Sequence, residues 1–372
     1  MAGSGEGDDM KEILLTGGTG YIGHNVAARL LTSSDVTMNL WLNAKDEAEF
    51  ASKKDQVLSQ FPNDKNRMKF SWGTLSEENP FRNVDWSTIT SVIHNAALTN
   101  FNVTEADANS VNRDGTIKLL KASRLAPKLE KFTYVSTVYA SGLKDGDVPE
   151  EFMTNEHGFS NHYERSKWES EEYIRTSCAD INWEIIRVAT VICHDETGLV
   201  IQHNAVHNTL KLLYYGLISL MPGFAKTPVY LVTGDEVARS IAHLHRTAPV
   251  KKIFNLTHGK DASLTLGTLV DLGFNVFSDD PKFKAKRILK PLFTDEKAFA
   301  ALVQSVQGFG GQVLAQAVTS IAPFGRQLYI TKNMINTNVK THDPSFKDFD
   351  PGLIMKLTIE DLIKKGFKKV QS

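Results

Sequence analysis

A glycine-rich turn near the amino terminus constrains the fold of this 372-residue chain more than any other feature. The stretch reads Glu12-Ile-Leu-Leu-Thr-Gly-Gly-Thr-Gly-Tyr-Ile-Gly23, which predicts a buried strand, a turn and then a helix over 21–31. Glycines permit the tight turn, the close approach of the backbone to a pyrophosphate, and close packing of the helix on the strand. Free amide groups and the helix dipole then favour phosphate. The stretch predicts a dinucleotide site formed by Gly17, Thr19, Gly20, Tyr21, Ile22 and Gly23.

The end of the second predicted strand bears on which dinucleotide is bound. This strand runs from Met38 to Asn43 and is followed by Ala44 and Lys45. In dinucleotide-binding folds, an acidic residue here binds the ribose of NAD, whereas a basic residue accommodates the extra phosphate of NADP. Because the tip carries no aspartate, and because Lys45 could reach a phosphate, we predict NADP as the cofactor. Asn43 and Lys45 are then expected at its ribose, and NAD is the alternative.

Strands and helices alternate up to about residue 198, which predicts a Rossmann-type, doubly wound parallel sheet of the α/β class. Further strands are predicted at 68–72, 91–94 and 131–136, with a helix at 109–124. Since ligands bind at the carboxyl ends of such strands, Ala96 and Ala97 are expected to contact the adenosine half of the cofactor. His94 precedes them, either as a cofactor contact or as a hydrogen-bonded residue that closes the strand.

A tyrosine four residues before a lysine provides the candidate chemistry. Tyr163 and Lys167 lie in a predicted helix over 161–175, and their spacing places them on one helix face. An ammonium group near a phenol lowers the pKa of the phenol, so Tyr163 could act as a general acid or base. Thr137, at the end of the fifth predicted strand, could hold a substrate oxygen. Thr137, Tyr163 and Lys167 are therefore candidate catalytic residues; by itself, a tyrosine four residues before a lysine usually marks an exposed helix face, and the resemblance described below implies the catalytic role.

The second half of the chain loses the regular alternation and predicts a smaller, mostly helical substrate lobe. We place a disordered lead at 1–10, the dinucleotide-binding lobe at 11–198 and the substrate lobe at 199–372, with 229–256 expected to return to the first lobe. An apolar helix is predicted over 210–221. It is either a core helix of the smaller lobe or the wall of an apolar substrate channel.

Composition narrows the class of protein. A net charge of −1 argues against a nucleic-acid partner, and the longest apolar stretch is too short to span a bilayer. Two cysteines and no visible signal peptide predict a reducing, cytoplasmic location. His203 and His207 stand four residues apart, but no third ligand is evident, so no metal site is predicted.

Together these motifs resemble the extended short-chain dehydrogenase/reductase superfamily. The residues that carry the resemblance are Thr16-Gly-Gly-Thr-Gly-Tyr-Ile-Gly23, His94-Asn-Ala-Ala97, Tyr134-Val-Ser-Thr137 and Tyr163-Glu-Arg-Ser-Lys167. Within it, the stretches His94-Asn-Ala-Ala-Leu-Thr-Asn-Phe101, Ser166-Lys-Trp-Glu169 and Asp195-Glu-Thr-Gly198 are most similar to the thioester reductase and fatty-acyl reductase group. This resemblance implies that Lys167 also holds the nicotinamide ribose. It further implies that Arg187, Val188 and Thr190 line the nicotinamide end of the site.

The resemblance implies an NAD(P)H-dependent reductase that transfers hydride to the carbonyl of a hydrophobic substrate. That carbonyl is either an acyl thioester, reduced to an aldehyde or alcohol, or a ketone or aldehyde, reduced to an alcohol. A thioester would arrive on a separate carrier protein or on coenzyme A. Two alternatives are a nucleotide-sugar epimerase or dehydratase with tightly held NAD, and a non-catalytic nucleotide-sensing protein. The apolar 210–221 segment counts against the first, and the intact catalytic residues count against the second.

Overall fold

The computed structural model describes residues 10–309 and 321–368, and a seven-stranded parallel sheet forms its centre. The strands are β1 (Lys11–Thr16), β2 (Val36–Asn43), β3 (Met68–Gly73), β4 (Ile89–His94), β5 (Lys131–Thr137), β6 (Trp183–Val188) and β7 (Lys252–Leu256). Their spatial order is β7-β6-β5-β4-β1-β2-β3. The chain order reverses between β1 and β4, which is where doubly wound folds form their ligand crevice. The predicted fold class is confirmed. Residues 1–9 of the predicted disordered lead lie outside the described residues.

Helices connect and cover these strands. The longer ones are α1 (Tyr21–Leu30), α2 (Glu47–Gln60), α3 (Gly115–Ser123), α4 (His162–Ser177), α5 (Ala205–Tyr214), α6 (Gly234–Thr247), α7 (Leu266–Phe277), α8 (Glu296–Phe309) and α9 (Pro351–Lys364). Short helices occur at Glu105–Asp107, Pro281–Lys284 and Thr337–His342, and single 3-10 turns at Lys65–Arg67, Val138–Ser141, Lys260–Ala262 and Arg326–Tyr329.

The helix predicted over 109–124 differs from the expectation in its first half. A π-helical segment, Ala108–Asp114, leads directly into α3. Within it Asn112 is buried, and its side-chain amide pairs with both the N–H and the carbonyl of Leu98 and donates to the Ser166 hydroxyl at 3.1 Å. The wide turn therefore coincides with a polar side chain that links the loop after β4 to α4.

Four pairs of short strands lie outside the central sheet. They join Gly146–Val148 to Lys332–Met334, Thr190–Cys193 to Leu231–Thr233, Leu220–Pro222 to Leu292–Thr294, and Pro228–Val229 to Leu264–Thr265. The helix predicted over 210–221 is wrong in its second half, because α5 ends at Tyr214 and the chain then forms a strand. Gly216 has a left-handed φ of 71°, a conformation that ends helices.

Separate clusters of buried apolar side chains are centred on residues 11–198, called the first lobe here, and on residues 199–368, called the second lobe. In the first lobe, apolar side chains pack on both faces of the central sheet, and α6 packs against α1. In the second lobe, α5, α7 and α9 surround a cluster that includes the buried Leu210 and Phe277. This places α5 as a core helix, one of its two predicted roles. β7 and α6, within residues 229–256, pack with the first lobe, and so do residues 332–346, which the sequence did not predict to return.

The helices of residues 10–309 and 321–368 include none that is both long and apolar enough to cross a membrane. Cys178 and Cys193 are buried free thiols. The cellular location stays a prediction from the sequence.

Candidate active site

The glycine turn between β1 and α1 has the shape of a phosphate cradle. Gly17 has a φ of +74°, and a Cβ placed there would lie 2.8 Å from the backbone nitrogen of Ala96. A Cβ at Gly23 would lie 2.1 Å from the carbonyl oxygen of Gly17, so α1 approaches the turn as closely as a helix can. Gly20 is the N-cap of α1 and carries no side chain to cover the first amide groups. These amides are therefore available to a pyrophosphate, as a dinucleotide requires.

The other predicted residues of the turn would contact a phosphate through their backbone. Thr19 is exposed, whereas the Ile22 side chain packs on the first-lobe core. The Tyr21 hydroxyl lies 2.6 Å from Nδ1 of His194, so the side chain links α1 to the loop after the short strand Thr190–Cys193. The start of α1, directly after the turn, is thus fixed by a contact from a distant part of the chain.

Two lysines, the exposed Lys45 and the half-buried Lys53, lie near the end of β2. Asn43 and Lys45 are exposed there, and their cofactor contacts stay predictions. Lys53, from α2, donates to the carbonyl oxygen of Asn43 at 2.6 Å and pairs with Glu49 at 2.7 Å. Sequence reasoning missed Lys53. It lies ten residues after the strand end, and only the course of α2, which begins after its N-cap Asp46, brings it back to that end.

His94 closes the fourth strand through two hydrogen bonds. Its Nδ1 lies 2.6 Å from the Thr16 hydroxyl and its Nε2 lies 2.9 Å from the Thr116 hydroxyl. Burial, assisted by the charge of Lys167, lowers the pKa of His94 to about 3, so the ring is neutral. The structure therefore gives the His94 side chain the strand-closing role, one of its two predicted roles. Ala96 and Ala97 follow it, half-buried beside the glycine turn.

The three predicted catalytic residues come together at the end of β5. Thr137 is the last residue of that strand, and Tyr163 lies in the first turn of α4. Burial raises the pKa of Tyr163 above its ordinary value, and a hydrogen bond with the Thr137 side chain lowers it by a smaller amount. The predicted lowering of the Tyr163 pKa towards neutrality is therefore not found. Burial thus favours the neutral phenol, the form that a proton donor needs.

Lys167 is buried one helical turn after Tyr163. Its Nζ donates to the carbonyl oxygen of Val135 at 2.7 Å and lies 4.2 Å from the centre of the Tyr134 ring. Burial lowers the pKa of Lys167 to about 7, against the opposing effect of Glu171. The Lys167 amine is thus held at a fixed point on the strand that ends in Thr137.

Arg187 departs from its predicted place at the nicotinamide end. The guanidinium is fully buried, pairs with Glu171 at 2.6 Å, and donates to the carbonyl oxygen of Glu151 at 2.8 Å. Because its donors are used within the protein, the side chain braces β6 against α4 instead of facing a cofactor. Val188 and Thr190 are half-buried at the end of the same strand region, and their cofactor contacts stay predictions.

An aromatic wall adjoins the catalytic tyrosine, and sequence reasoning missed it. The Phe101 ring lies 5.8 Å from the Tyr163 ring, 5.9 Å from the Tyr139 ring and 5.8 Å from the Phe324 ring, measured between centroids. All but Tyr163 are half-buried. Phe101 ends the stretch that suggested the reductase group, which was the only local signal for it. Phe324 belongs to the second lobe, so both lobes build this wall.

The two histidines considered as metal ligands, His203 and His207, lie around the start of α5 and contact other protein groups. Nδ1 of His207 accepts from the Asn204 amide at 3.0 Å, and its Nε2 lies 2.6 Å from the carbonyl oxygen of Ile192. The His203 ring stacks on it with 5.5 Å between centroids. Within the part of the chain that the structure describes, no group of three or more His, Cys, Asp or Glu side chains could hold a metal ion.

The parallel sheet, the glycine cradle and the Thr-Tyr-Lys arrangement define an NAD(P)-dependent oxidoreductase of the extended short-chain dehydrogenase/reductase type. The chain belongs to the NAD-binding family described as male sterility protein, whose model matches residues 15–241. The resemblance deduced from the sequence motifs is thereby confirmed.

Individual relatives are more distant. The chain is 24% identical over 261 residues to isonitrile lipopeptide synthase of Streptomyces coeruleorubidus, a match covering 65% of this chain and 17% of that protein. It is 29% identical over 146 residues to fatty acyl-CoA reductase 1 of Gallus gallus, covering 35% of this chain and 28% of that protein. The chain thus spans far less than two thirds of these relatives. The crystal structure of the terminal R domain from the myxalamid PKS-NRPS biosynthetic pathway has the same fold, with a TM-score of 0.74, 19% identity, and coverage of 98% of this chain and 93% of that one.

Proposed function

We propose that this protein reduces the carbonyl group of an apolar acyl thioester with NAD(P)H. The observation that carries the proposal is the placement of Thr137, Tyr163 and Lys167 at the end of β5, beside the aromatic wall of Phe101 and Phe324. A relative named fatty acyl-CoA reductase supports a thioester substrate. A match to part of a lipopeptide synthase supports delivery by a larger assembly. The partner would be coenzyme A or a separate carrier protein.

The reduced nicotinamide, when bound, supplies hydride to the carbonyl carbon. Tyr163 donates the proton to the carbonyl oxygen, because its phenol is protonated and Thr137 orients it. The oxygen and carbon together gain one proton and one hydride, which gives a hemithioacetal. This product releases the thiol and leaves an aldehyde. Lys167, fixed on the Val135 carbonyl, holds the ribose side of the site and supplies positive charge as the proton leaves Tyr163.

We propose NADP over NAD because of the cations at the end of β2. Lys45 is exposed there, and the Lys53 ammonium lies 2.6 Å from the Asn43 carbonyl oxygen. Lys45 suits the additional phosphate of NADP, and Lys53 would bind that phosphate by exchanging its partner Glu49 for it.

The apolar character of the substrate follows from the wall beside Tyr163. Phe101, Tyr139 and Phe324 present half-buried rings to the same space. Burial of a hydrocarbon chain against this surface is favourable, because it removes apolar area from water, whereas a polar sugar nucleotide would bury little apolar area there.

The test is reduction of decanoyl-coenzyme A with NADPH and NADH in parallel, followed at 340 nm and by detection of the released thiol. Decanal, a hydrophobic ketone and a UDP-sugar complete the panel. We expect thiol release with NADPH as the better donor. Oxidation of NADPH by decanal or the ketone alone would instead make the protein a carbonyl reductase, and conversion of the UDP-sugar without added nucleotide would make it an epimerase.

Tyr163→Phe tests the assigned proton donor. A general acid contributes about 10²–10⁴-fold, so kcat should fall by that factor. Tyr173→Phe is the matched control, because Tyr173 lies on the same helix ten residues further on and packs in the first-lobe core. Full turnover by Tyr163→Phe would remove this residue from the mechanism.

A further inference from the structure

A buried glutamine of the second lobe contacts the helix that carries Tyr163. Nε2 of Gln327 donates to Oε2 of Glu164 at 2.8 Å and to the carbonyl oxygen of Gly142 at 3.1 Å. Glu164 is the residue directly after Tyr163 and is fully buried. The amide therefore links the first turn of α4 to the turn that follows β5, although Gln327 is 163 residues from Glu164 along the chain.

A buried lysine, at the start of the segment 332–346 that packs with the first lobe, binds the same turn. Nζ of Lys332 donates to the Ser141 hydroxyl at 2.8 Å and to the Gly142 carbonyl oxygen at 2.5 Å. It also lies 5.9 Å from the centre of the Tyr139 ring, which belongs to the aromatic wall. The 3-10 turn Val138–Ser141 begins directly after Thr137. Lys332 thus holds the segment that leaves the catalytic strand.

The opposite charges of Glu164 and Lys332 support this arrangement. Burial raises the pKa of Glu164 to about 7, an effect that its hydrogen bonds from Ser160 and Asn161 and the charge of Lys332 oppose. Burial lowers the pKa of Lys332 to about 8, which Glu164 opposes in turn. Each group favours the charged form of the other, and loss of either leaves an uncompensated charge in the interior. The Gln327 side-chain amide, which donates to both Glu164 and Gly142, is therefore held in one position within this buried polar network.

We propose that Gln327 and Lys332 are positioning residues that set the placement of Thr137 relative to Tyr163. Thr137 and Tyr163 lie on different elements, β5 and α4, and the proton transfer depends on their mutual geometry. The Gly142 carbonyl oxygen accepts hydrogen bonds from both side chains. Gln327 also donates to Glu164 on α4, so this residue of the second lobe connects the two elements. Docking of the second lobe is then a condition for catalysis as well as a source of the aromatic wall. The catalytic meaning of this inference rests on the proposed reductase activity.

The kinetic test compares Gln327→Leu and Lys332→Met with a matched control, Asn336→Ala. Asn336 is a buried residue of the same segment whose amide donates to the Thr257 carbonyl at 2.7 Å, away from β5 and α4. A misplacement of about 1 Å can cost about 100-fold, so we expect kcat for decanoyl-coenzyme A to fall at least about tenfold in both test variants. The KM for NADPH should stay unchanged, and Lys332→Arg should recover most of the loss. The control should lose melting temperature without loss of kcat.

A second measurement does not depend on turnover. Protein labelled with 13C at the tyrosine Cζ reports on Tyr163, whose resonance is identified by its loss in Tyr163→Phe. We expect this resonance to shift in Gln327→Leu and in the milder Ser141→Ala, and to stay in place in Asn336→Ala. The Ser141→Ala variant keeps the test available if the larger changes prevent folding.

The inference would be overturned if the Tyr163 resonance did not move. It would also be overturned if, at equal melting temperature, Gln327→Leu and Lys332→Met lost no more kcat than Asn336→Ala. If the wild type reduces no substrate of the panel but the Tyr163 resonance still shifts in the variants, the positioning role stands and the proposed function is rejected.

Discussion

Substitution of Arg187 by methionine tests whether this residue holds the fold or the cofactor. The guanidinium and the Glu171 carboxylate are 0% and 1% exposed at their side chains and pair at 2.6 Å. Methionine has a similar length and no charge, so it leaves Glu171 buried with the Ser136 hydroxyl, at 2.6 Å, as its remaining neighbour of this network. The carbonyl of Glu151 loses its donor as well.

The expected cost follows from this geometry. Removal of one partner of a buried ion pair costs about 3–5 kcal/mol, because the other charge stays uncompensated in the interior. Unfolding entropy near 60 °C is about 2.1 cal/mol/K per residue, so a chain of 372 residues loses about 4–6 °C in melting temperature for that free energy. Removing both charges in Arg187→Met/Glu171→Leu should recover most of the loss, since no unpaired charge remains.

The assay is thermal unfolding followed by circular dichroism, with fluorescence titration of NADPH on each variant below its melting temperature. Arg175→Met serves as the control, because Arg175 pairs with Glu172 on the same helix at the surface, where an ion pair contributes about 0–1 kcal/mol. We expect Arg187→Met to lose melting temperature and to keep its affinity for NADPH. A melting temperature equal to that of Arg175→Met, together with a tenfold loss of NADPH affinity, would refute the bracing role and restore the cofactor contact predicted from the sequence.

Three further changes test other parts of the molecule. Gly23→Ala places a methyl group 2.1 Å from a carbonyl oxygen of the glycine turn, so NADPH binding by titration should be lost; retained affinity would show that the turn is not the cradle. Lys45→Ala should weaken NADPH about tenfold and leave NADH unchanged, since a charged hydrogen bond is worth about 1.5 kcal/mol; equal losses for both nucleotides would contradict this. Burial lowers the pKa of His258, but Glu236 and Asp348 outweigh it and raise the pKa above 6.5. The protonated ring therefore stabilises the fold fully below pH 6.5, and this contribution disappears as the pH rises through the raised pKa. The melting temperature of the wild type should approach that of His258→Gln above that pKa, and a constant difference between pH 5.5 and 9 would contradict the assignment.

The sequence by itself determined the parallel fold class, the first five strands of the sheet, the glycine turn and the position of the Tyr163 helix. These features depend on local patterns: apolar runs of strand length, glycines where the backbone must turn, and a four-residue spacing on one helix face. Their physical causes act within a few residues, so a pattern in the chain is enough to predict them. The helix over 210–221 marks the limit of this approach. The apolar run 210–221 predicts one continuous helix, but the helix ends at Tyr214, and Leu220–Pro222 pair with a strand more than 70 residues away.

Only the tertiary structure decided what the side chains around this frame do. Arg187 has no local feature that separates a cofactor contact from a buried brace, because the difference lies in Glu171 on another element. The same holds for Phe324, Gln327 and Lys332, which contact Phe101, Glu164 and Gly142, near Tyr163, from a segment more than 150 residues away. Contacts between distant segments depend on packing and on the cost of leaving buried charges unpaired, and neither produces a periodic pattern in the sequence. The second lobe therefore became part of the active site only when the chain was folded.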